Sequence, residues 1–506
     1  MKTGSKLAYN NSVFWISSVV ITIVVLFGAI WPQRFAKGAS AAFHFTTYAF
    51  GWFYLLAVLF FVLFLLVLAV SKYGKMKLGP DESKPDYPFF TWVGMLISCG
   101  LGIGLVFWGI AEPMSHFFTS PFGHEPMTRQ AARTAMTYSF FHWGLSQWAI
   151  FTMVGLAVGF FQFRKKENGL ISTTLKPLIK ERRGASTIRK SIDILAVIAT
   201  VVGVATSLGL GIMQINGGMK TVFGLNNSIT MHLCIVGFML ICYLASSVTG
   251  LDKGIKWLSN FNLVLILVLM LYVFLTGPTI FILNTFTQSL GDYVTRFIEY
   301  SLRLSPYTGA TWVREWTIFY WAWTIAWSPF VGAFIGRVSR GRTIREFVMG
   351  VLIIPPLISL LWVSVFGGTA LYKDLFEGTK IAEDVNSDVT SALFSTFNEL
   401  PFSFPLSIVA ILLIFTFLIT SADSASYILG SMTTNGMATP PITVRVIWGV
   451  LISAIATVLT LASGLEGLQT ASLVAALPFT IILVVMGFTM FQQIRLEYRL
   501  TRQRRI

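Results

Sequence analysis

The stretch Phe319-Tyr320-Trp321-Ala322-Trp323-Thr324-Ile325-Ala326-Trp327-Ser328-Pro329 sets a dense run of aromatic rings inside an apolar segment and closes it with Ser-Pro. On a helix Trp323 and Trp327 share one face, with Tyr320 beside them. Aromatic faces presented together suit a cation without hydrogen-bond donors, which only the ring quadrupole and dispersion can hold. They equally suit a belt of Trp and Tyr at a lipid–water interface. Proline removes a backbone donor and frees a carbonyl, so the pair Ser328-Pro329 predicts an interrupted helix.

Apolar segments of this kind recur through all 506 residues, 55% of them hydrophobic and only 12% charged. No polar interval is long enough for a soluble domain, so the chain reads as an all-α polytopic membrane protein. About twelve spans are expected, near 13–31, 50–71, 88–111, 131–162, 190–217, 228–248, 255–284, 309–336, 344–371, 402–430, 444–463 and 470–493. The first follows Lys2 and Lys6 without a small-residue cleavage site, which favours a retained helix over a signal peptide. Cys99, Cys234 and Cys242 lie in apolar stretches and read as packing residues.

Basic residues concentrate in alternate loops: Lys72, Lys75 and Lys77; then Arg164 to Lys190; then Arg337, Arg340, Arg342 and Arg345; and finally Arg495 to Arg505. Intervening loops carry acids such as Asp374, Glu377 and Asp388. The positive-inside rule then places both termini in the cytoplasm and the chain in the cell membrane. The net charge of +15 therefore speaks for orientation in an anionic bilayer and not for nucleic-acid binding. Two amphipathic stretches, Ser289–Leu304 and Asn386–Glu399, are expected as interfacial helices or gate covers on the outer side.

The third span contains Gly100-Leu101-Gly102-Ile103-Gly104, alternating glycines that fit either close helix packing or an unwound segment with free amides for an anionic group. It and the eighth span would be the first helices of two halves of similar length. Interruptions in matching positions point to a transporter site between inverted repeats. The tenth span carries Phe417-Leu418-Ile419-Thr420-Ser421-Ala422-Asp423-Ser424. Its oxygens fit a small hard cation, or hydroxyls bonded back onto the helix with Asp423 salt-bridged; Asp423 as a proton carrier stays open. The five histidines, His44, His116, His124, His142 and His232, show no metal-ligand spacing, and His142 reads as a core residue. No catalytic residue and no cofactor is expected. A channel is disfavoured because the polar residues gather in one mid-membrane layer.

Further motifs are Glu112-Pro113, the run Phe141-His142-Trp143-Gly144-Leu145-Ser146-Gln147-Trp148-Ala149-Ile150, Ala205 to Gly211, and Ser339-Arg340-Gly341-Arg342-Thr343-Ile344-Arg345-Glu346. With the glycine run, Trp316 to Trp323 and Thr420-Ser421, they make most of the chain resemble the betaine/choline/carnitine transporter family. Within it the chain is most similar to sodium-coupled glycine betaine carriers of Gram-positive bacteria. The resemblance implies a five-plus-five inverted-repeat fold after two extra helices. Residues 1–84 would hold the first two spans, 85–288 the first repeat, 289–305 an interfacial helix, 306–494 the second repeat and 495–506 a short basic tail. It also implies a homotrimer in the lipid bilayer, with no nucleic-acid partner, that imports a quaternary-ammonium solute with sodium.

By that resemblance the aromatic cage is Trp143, Trp148 and Phe151 with Trp323 and Trp327, and the substrate carboxylate faces Gly100, Gly102 and Gly104. Thr324 stands where close relatives have a second consecutive tryptophan, and Phe151 where some have tyrosine. Sodium is expected among Ser98, Leu101, Phe417, Thr420 and Ser421. A second site would need threonines where this chain has Thr200 and Val204, so only half of it matches. Sodium-independent exchangers place an arginine from the seventh span at the sodium position, whereas Ser259-Asn260-Phe261-Asn262-Leu263 offers no cation, which favours coupling. Asp423, Arg337 and Arg340 are candidates for gating or coupling. A choline or carnitine carrier or exchanger and a proton-coupled symporter are the alternatives.

Overall fold

The computed structural model describes residues 11–100, 102–226, 228–249, 252–307, 309 and 311–503; the side chains of 99, 100, 247–249 and 252–256 also lie outside that set. Apart from one isolated bridge between Lys77 and Thr343, the regular structure among the described residues is helical. The long helices are α1 (Ser12–Ile30), α2 (Pro32–Val70), α3 (Phe89–Gly100), α4 (Ile103–Phe118), α5 (Arg129–Trp143), α6 (Leu145–Gly159) and α7 (Ala185–Phe223). They continue as α8 (Ile229–Thr249), α9 (Asp252–Thr276), α10 (Thr279–Leu302), α11 (Phe319–Arg337), α12 (Ile344–Tyr372), α13 (Ser403–Thr433) and α14 (Ile442–Gln503).

Among the described residues ten helices are long and apolar enough to cross a membrane, or eleven if the bent pair Phe89–Ser98 with Ile103–Phe118 counts as one span. The last helix, at 62 residues, is too long for one crossing and changes direction at Gly464 (φ 59°, ψ −138°). Dividing it there, and counting the bent pair, gives twelve candidate spans among the described residues, in line with the number expected for a multi-pass membrane protein.

Several boundaries differ from the expected ones for readable reasons. Helix α2 starts at Pro32, where a fixed φ suits the first helical position, and not near residue 50. Gly277-Pro278 ends the seventh span early, and amphipathic α10 therefore begins at Thr279, well before Ser289. The fourth span, expected to run unbroken from 131 to 162, divides at Gly144, where Leu145 N–H donates 2.9 Å to the Tyr293 hydroxyl of α10.

The largest correction concerns the eighth span. Helix α11 runs straight through Ser328-Pro329, so the interruption predicted there is absent. Proline at 329 leaves the carbonyl of Ile325 without its usual amide, and the Ser328 hydroxyl donates to that carbonyl at 2.8 Å. With the orphaned acceptor satisfied, apolar packing keeps the helix whole. The irregular turn lies upstream, at Arg314–Ile318.

Small residues clamp α6 to α11. A Cβ at Gly332 would lie 2.5 Å from Val154 Cβ, and one at Gly336 would lie 2.7 Å from the Gly155 carbonyl. Gly155 and Gly159 on α6 thus meet Gly332 and Gly336 on α11, the small-xxx-small spacing that lets membrane helices approach closely. This contact holds the two tryptophan-bearing helices in fixed relation. The basic loop after α11 is a packed junction: Leu78 N–H donates to Arg342 O, Gly341 N–H to Leu78 O, and Arg345 Nε to the Ala69 carbonyl, each at 2.8 Å.

Candidate functional site

A cavity of about 600 Å³ opens where the break between α3 and α4 faces α6, α11 and α13. Trp143, Trp148 and Phe151 line it from the fourth span, and Trp323, Thr324 and Trp327 from the eighth. These are the five rings expected for the cage, together with Thr324, the position where close relatives were expected to carry a further tryptophan. Trp323 meets Trp143 edge-on at 6.3 Å, Phe151 meets Trp148 at 5.5 Å, and Phe151 meets Trp327 at 5.9 Å. Behind it, Trp323 stacks on Phe319 at 5.9 Å with an interplanar angle of 1°. The aromatic run is therefore interior to the protein and not a lipid-facing belt.

Glycine at 104 is what lets Trp323 lie across the broken helix, because a Cβ there would meet Trp323 Cη2 at 2.3 Å. Gly102, the extended residue before α4, lines the same cavity together with Gly104. Leu101 lies outside the described residues, and so does the environment of Gly100. The first N–H groups of α4 have no intrahelical acceptor and suit an anionic group.

Polar atoms without protein partners face this space. The indole nitrogens of Trp148, Trp323 and Trp327 are buried and unbonded, as are Thr324 Oγ1 and Gln147 Oε1. Buried polar groups are almost always paired, so three N–H donors, one carbonyl acceptor and a hydroxyl that can do either suit a ligand with both an anion and hydrogen-bonding capacity.

Of the residues expected around sodium, Ser98, Phe417, Thr420 and Ser421 line the cavity. The Thr420 hydroxyl bonds back onto its helix, at 3.1 Å from Thr416 O and 3.2 Å from Phe417 O, so as an ion ligand it would have to exchange those contacts. From α9 come Ser259, Asn262 and Leu263, a wall with no cationic side chain. Asn262 is itself engaged, accepting from Thr416 Oγ1 at 2.6 Å. Asp423 pairs with Arg445 at 3.0 Å while still bordering the cavity. Arg337 is among the residues lining the cavity, whereas Arg340 is not and lies 3.6 Å from Asp86.

One cluster was missed by sequence reasoning. Glu112, His116 and His142 are fully buried side by side. Glu112 Oε1 lies 2.6 Å from His142 Nδ1 and 3.3 Å from His116 Nε2. Glu112 Oε2 accepts from Trp143 Nε1 at 2.8 Å and from the Tyr320 hydroxyl. A carboxylate only accepts when ionised, and four donors converge on this one. The signal was partly present in the sequence: Glu112 and His116 are one helical turn apart, and His142 precedes a cage tryptophan.

The family model for BCCT, betaine/carnitine/choline family transporter, matches residues 12–499. The chain belongs to this family. It is 60% identical to an ectoine/hydroxyectoine transporter of Virgibacillus pantothenticus, over 95% of this chain and 96% of that protein. It is 45% identical to the glycine betaine transporter OpuD of Bacillus subtilis (strain 168), over 97% and 96% of the two chains. An osmo-dependent choline transporter, BetT2 of Acinetobacter baylyi, is 35% identical over 98% of this chain and 73% of its own. The resemblance read from the motifs is thus established, and the cavity's aromatic wall belongs to a transporter of this family.

Proposed function

We propose that the chain imports a small zwitterionic compatible solute together with sodium, by alternating access. The observation that carries this reading is the cavity itself, where aromatic faces, unpaired indole N–H groups and the α4 N-terminus border one space. Trp143, Trp148, Trp323 and Trp327 would hold the cation, and Gly102, Gly104 and the free indoles the carboxylate. Sodium would sit between Ser98 on α3 and Phe417, Thr420 and Ser421 on α13, ordering the break so that each solute improves the other's site. Arg337 lines the cavity and leads into the basic loop that the positive-inside rule puts in the cytoplasm, so in this reading the cavity extends toward the inside. A homotrimer using α10 completes the assembly we propose; its exposed Ile280, Val294 and Ile298 give it an unpaired apolar face.

Glycine betaine and other quaternary ammonium zwitterions fit the rings. A specific observation favours a second solute class: Gln147 Oε1 is an unpaired acceptor, and the Thr324 hydroxyl can serve as another, for which a quaternary ammonium has no donor. A cyclic amidinium carboxylate of the ectoine type carries N–H donors for them, and a relative named for ectoine and hydroxyectoine transport is 60% identical. Uptake into proteoliposomes of glycine betaine, ectoine, choline and carnitine, each with sodium or potassium outside, tests both points. Uptake unchanged by replacing sodium overturns the coupling, and choline outcompeting both zwitterions overturns the role given to the carboxylate.

A further inference from the structure

The buried cluster behind the cage is not shaped for a metal. Tetrahedral bonds of about 2.0 Å set neighbouring ligand atoms roughly 3.3 Å apart, whereas Glu112 Oε1 and His142 Nδ1 are 2.6 Å apart, a charge-assisted hydrogen bond. His142 is engaged on both sides, since its Nε2 lies 2.9 Å from Thr317 Oγ1. His116 differs. Its Nε2 faces Glu112, but its Nδ1 is buried with no protein partner. If Nε2 donates to the carboxylate, Nδ1 carries a lone pair with nothing to accept. The ring lies edge-on to Trp316 at 4.4 Å and tilted against Trp312 at 4.8 Å, aromatic neighbours that an imidazolium can also contact.

We propose that His116 Nδ1 is a proton-binding site, and that this proton and the solute's cation oppose each other through Glu112. The link is Trp143. Its indole N–H is committed to Glu112 Oε2 while its ring lines the solute cavity. With His116 neutral, the carboxylate's charge stands behind the ring, adds electron density to it through the hydrogen bond, and strengthens its hold on a cation. With His116 protonated, an imidazolium compensates that charge and the hold relaxes. Glu112 and His116 are positioning residues in this scheme, since neither lines the cavity. The proposal rests on the cage reading above.

Other titratable groups around His116 face elsewhere: between Trp312 and Trp316, Arg314 lies over the Tyr48 ring at 5.2 Å and Glu315 is half-buried near His44. Tyr138 of α5 lies 6.5 Å away and its hydroxyl accepts from Arg303 at 2.9 Å; Tyr320 of α11 donates to Glu112. On the short helices packed against α4, Glu383 pairs with Lys380, Asp384 accepts from Ser395, and Asp388 faces Lys220.

The test is a fluorescence titration of purified full-length protein from pH 8.5 to 5, because an imidazolium against indoles quenches them. Wild type should show a quenching step that His116→Asn lacks. Saturating glycine betaine or ectoine should move the step to lower pH by about one unit, equivalent to about tenfold weaker solute binding at the acid end. Glu112→Gln should bind solute weakly at both ends of the range. No step in wild type, or a step that survives in His116→Asn, overturns the proton site. A step unmoved by a solute that does bind, measured by calorimetry on the same sample, overturns the linkage. Should no zwitterion bind at any pH, the transport reading fails with the linkage, and the step in the solute-free protein still decides the proton site.

Discussion

The third and eighth spans both carry helix-breaking residues at the depth of the cavity, yet only the third is broken. In the third, alternating glycines supply no side chain to fill the turn, and Trp323 occupies the space a Cβ would need. In the eighth, proline costs one backbone bond, and the preceding serine returns its donor to Ile325 O. A break therefore needs a reason to stay open, and here an aromatic ring wedged against bare backbone provides it. The fourth span offers a third case, in which Tyr293 from a neighbouring helix caps the break at Gly144.

The comparison can be broken most sharply at Gly104. Gly104→Val should displace Trp323, lose its contact with the solute and add overpacking strain, together about 3 kcal/mol or a hundredfold in affinity. Tryptophan-quench titration with glycine betaine measures it, and unchanged affinity would separate the break from the cage. Trp327→Ala comes next. It should weaken binding by the loss of one cation–π face, roughly 0.5–2 kcal/mol. Thr324→Trp at the same wall should tighten glycine betaine by a similar amount and weaken ectoine; equal changes for both would remove residue 324 from solute choice.

Ser328→Ala sharpens the other half of the comparison. It leaves the Ile325 carbonyl buried and unpaired, a loss of about 1–3 kcal/mol that should lower the thermal midpoint by a few degrees. Adding Pro329→Ala restores the amide, so the double variant should recover most of the loss; additive destabilisation would show that the serine is not a repair. The smallest effect is expected at Asp292, beside Tyr293. The Arg133 guanidinium, at 2.6 Å, holds the Asp292 carboxyl below its ordinary range. A depressed carboxyl stabilises the fold above the ordinary carboxylate range and loses that contribution as pH falls through its own lower value. Arg133 is half exposed, so Asp292→Asn should cost under about 1 kcal/mol at neutral pH and nothing in strong acid, read from thermal midpoints.

Much of this was legible in the residues. Hydropathy marked the spans because backbone in lipid must satisfy its own hydrogen bonds, and the glycine run marked the true break. The five rings expected to form a cage, and Thr324, were legible from motifs and line one cavity. Helix α10 was misplaced because Gly277-Pro278 lies inside an apolar stretch and was passed over as part of a span. The uncharged wall of Ser259, Asn262 and Leu263 was anticipated, but its bond to Thr416 was not.

The sequence by itself determined a membrane-embedded helical protein, its family, and which aromatics could form a cation site. These depend on composition and local order, which the chain carries along its length. Only the tertiary structure decided whether Ser328-Pro329 breaks its helix, and that Glu112, His116 and His142 stand together behind Trp143. Both depend on where a donor or an acceptor lies in space, and hydrogen bonds between distant segments leave no periodic trace in the sequence.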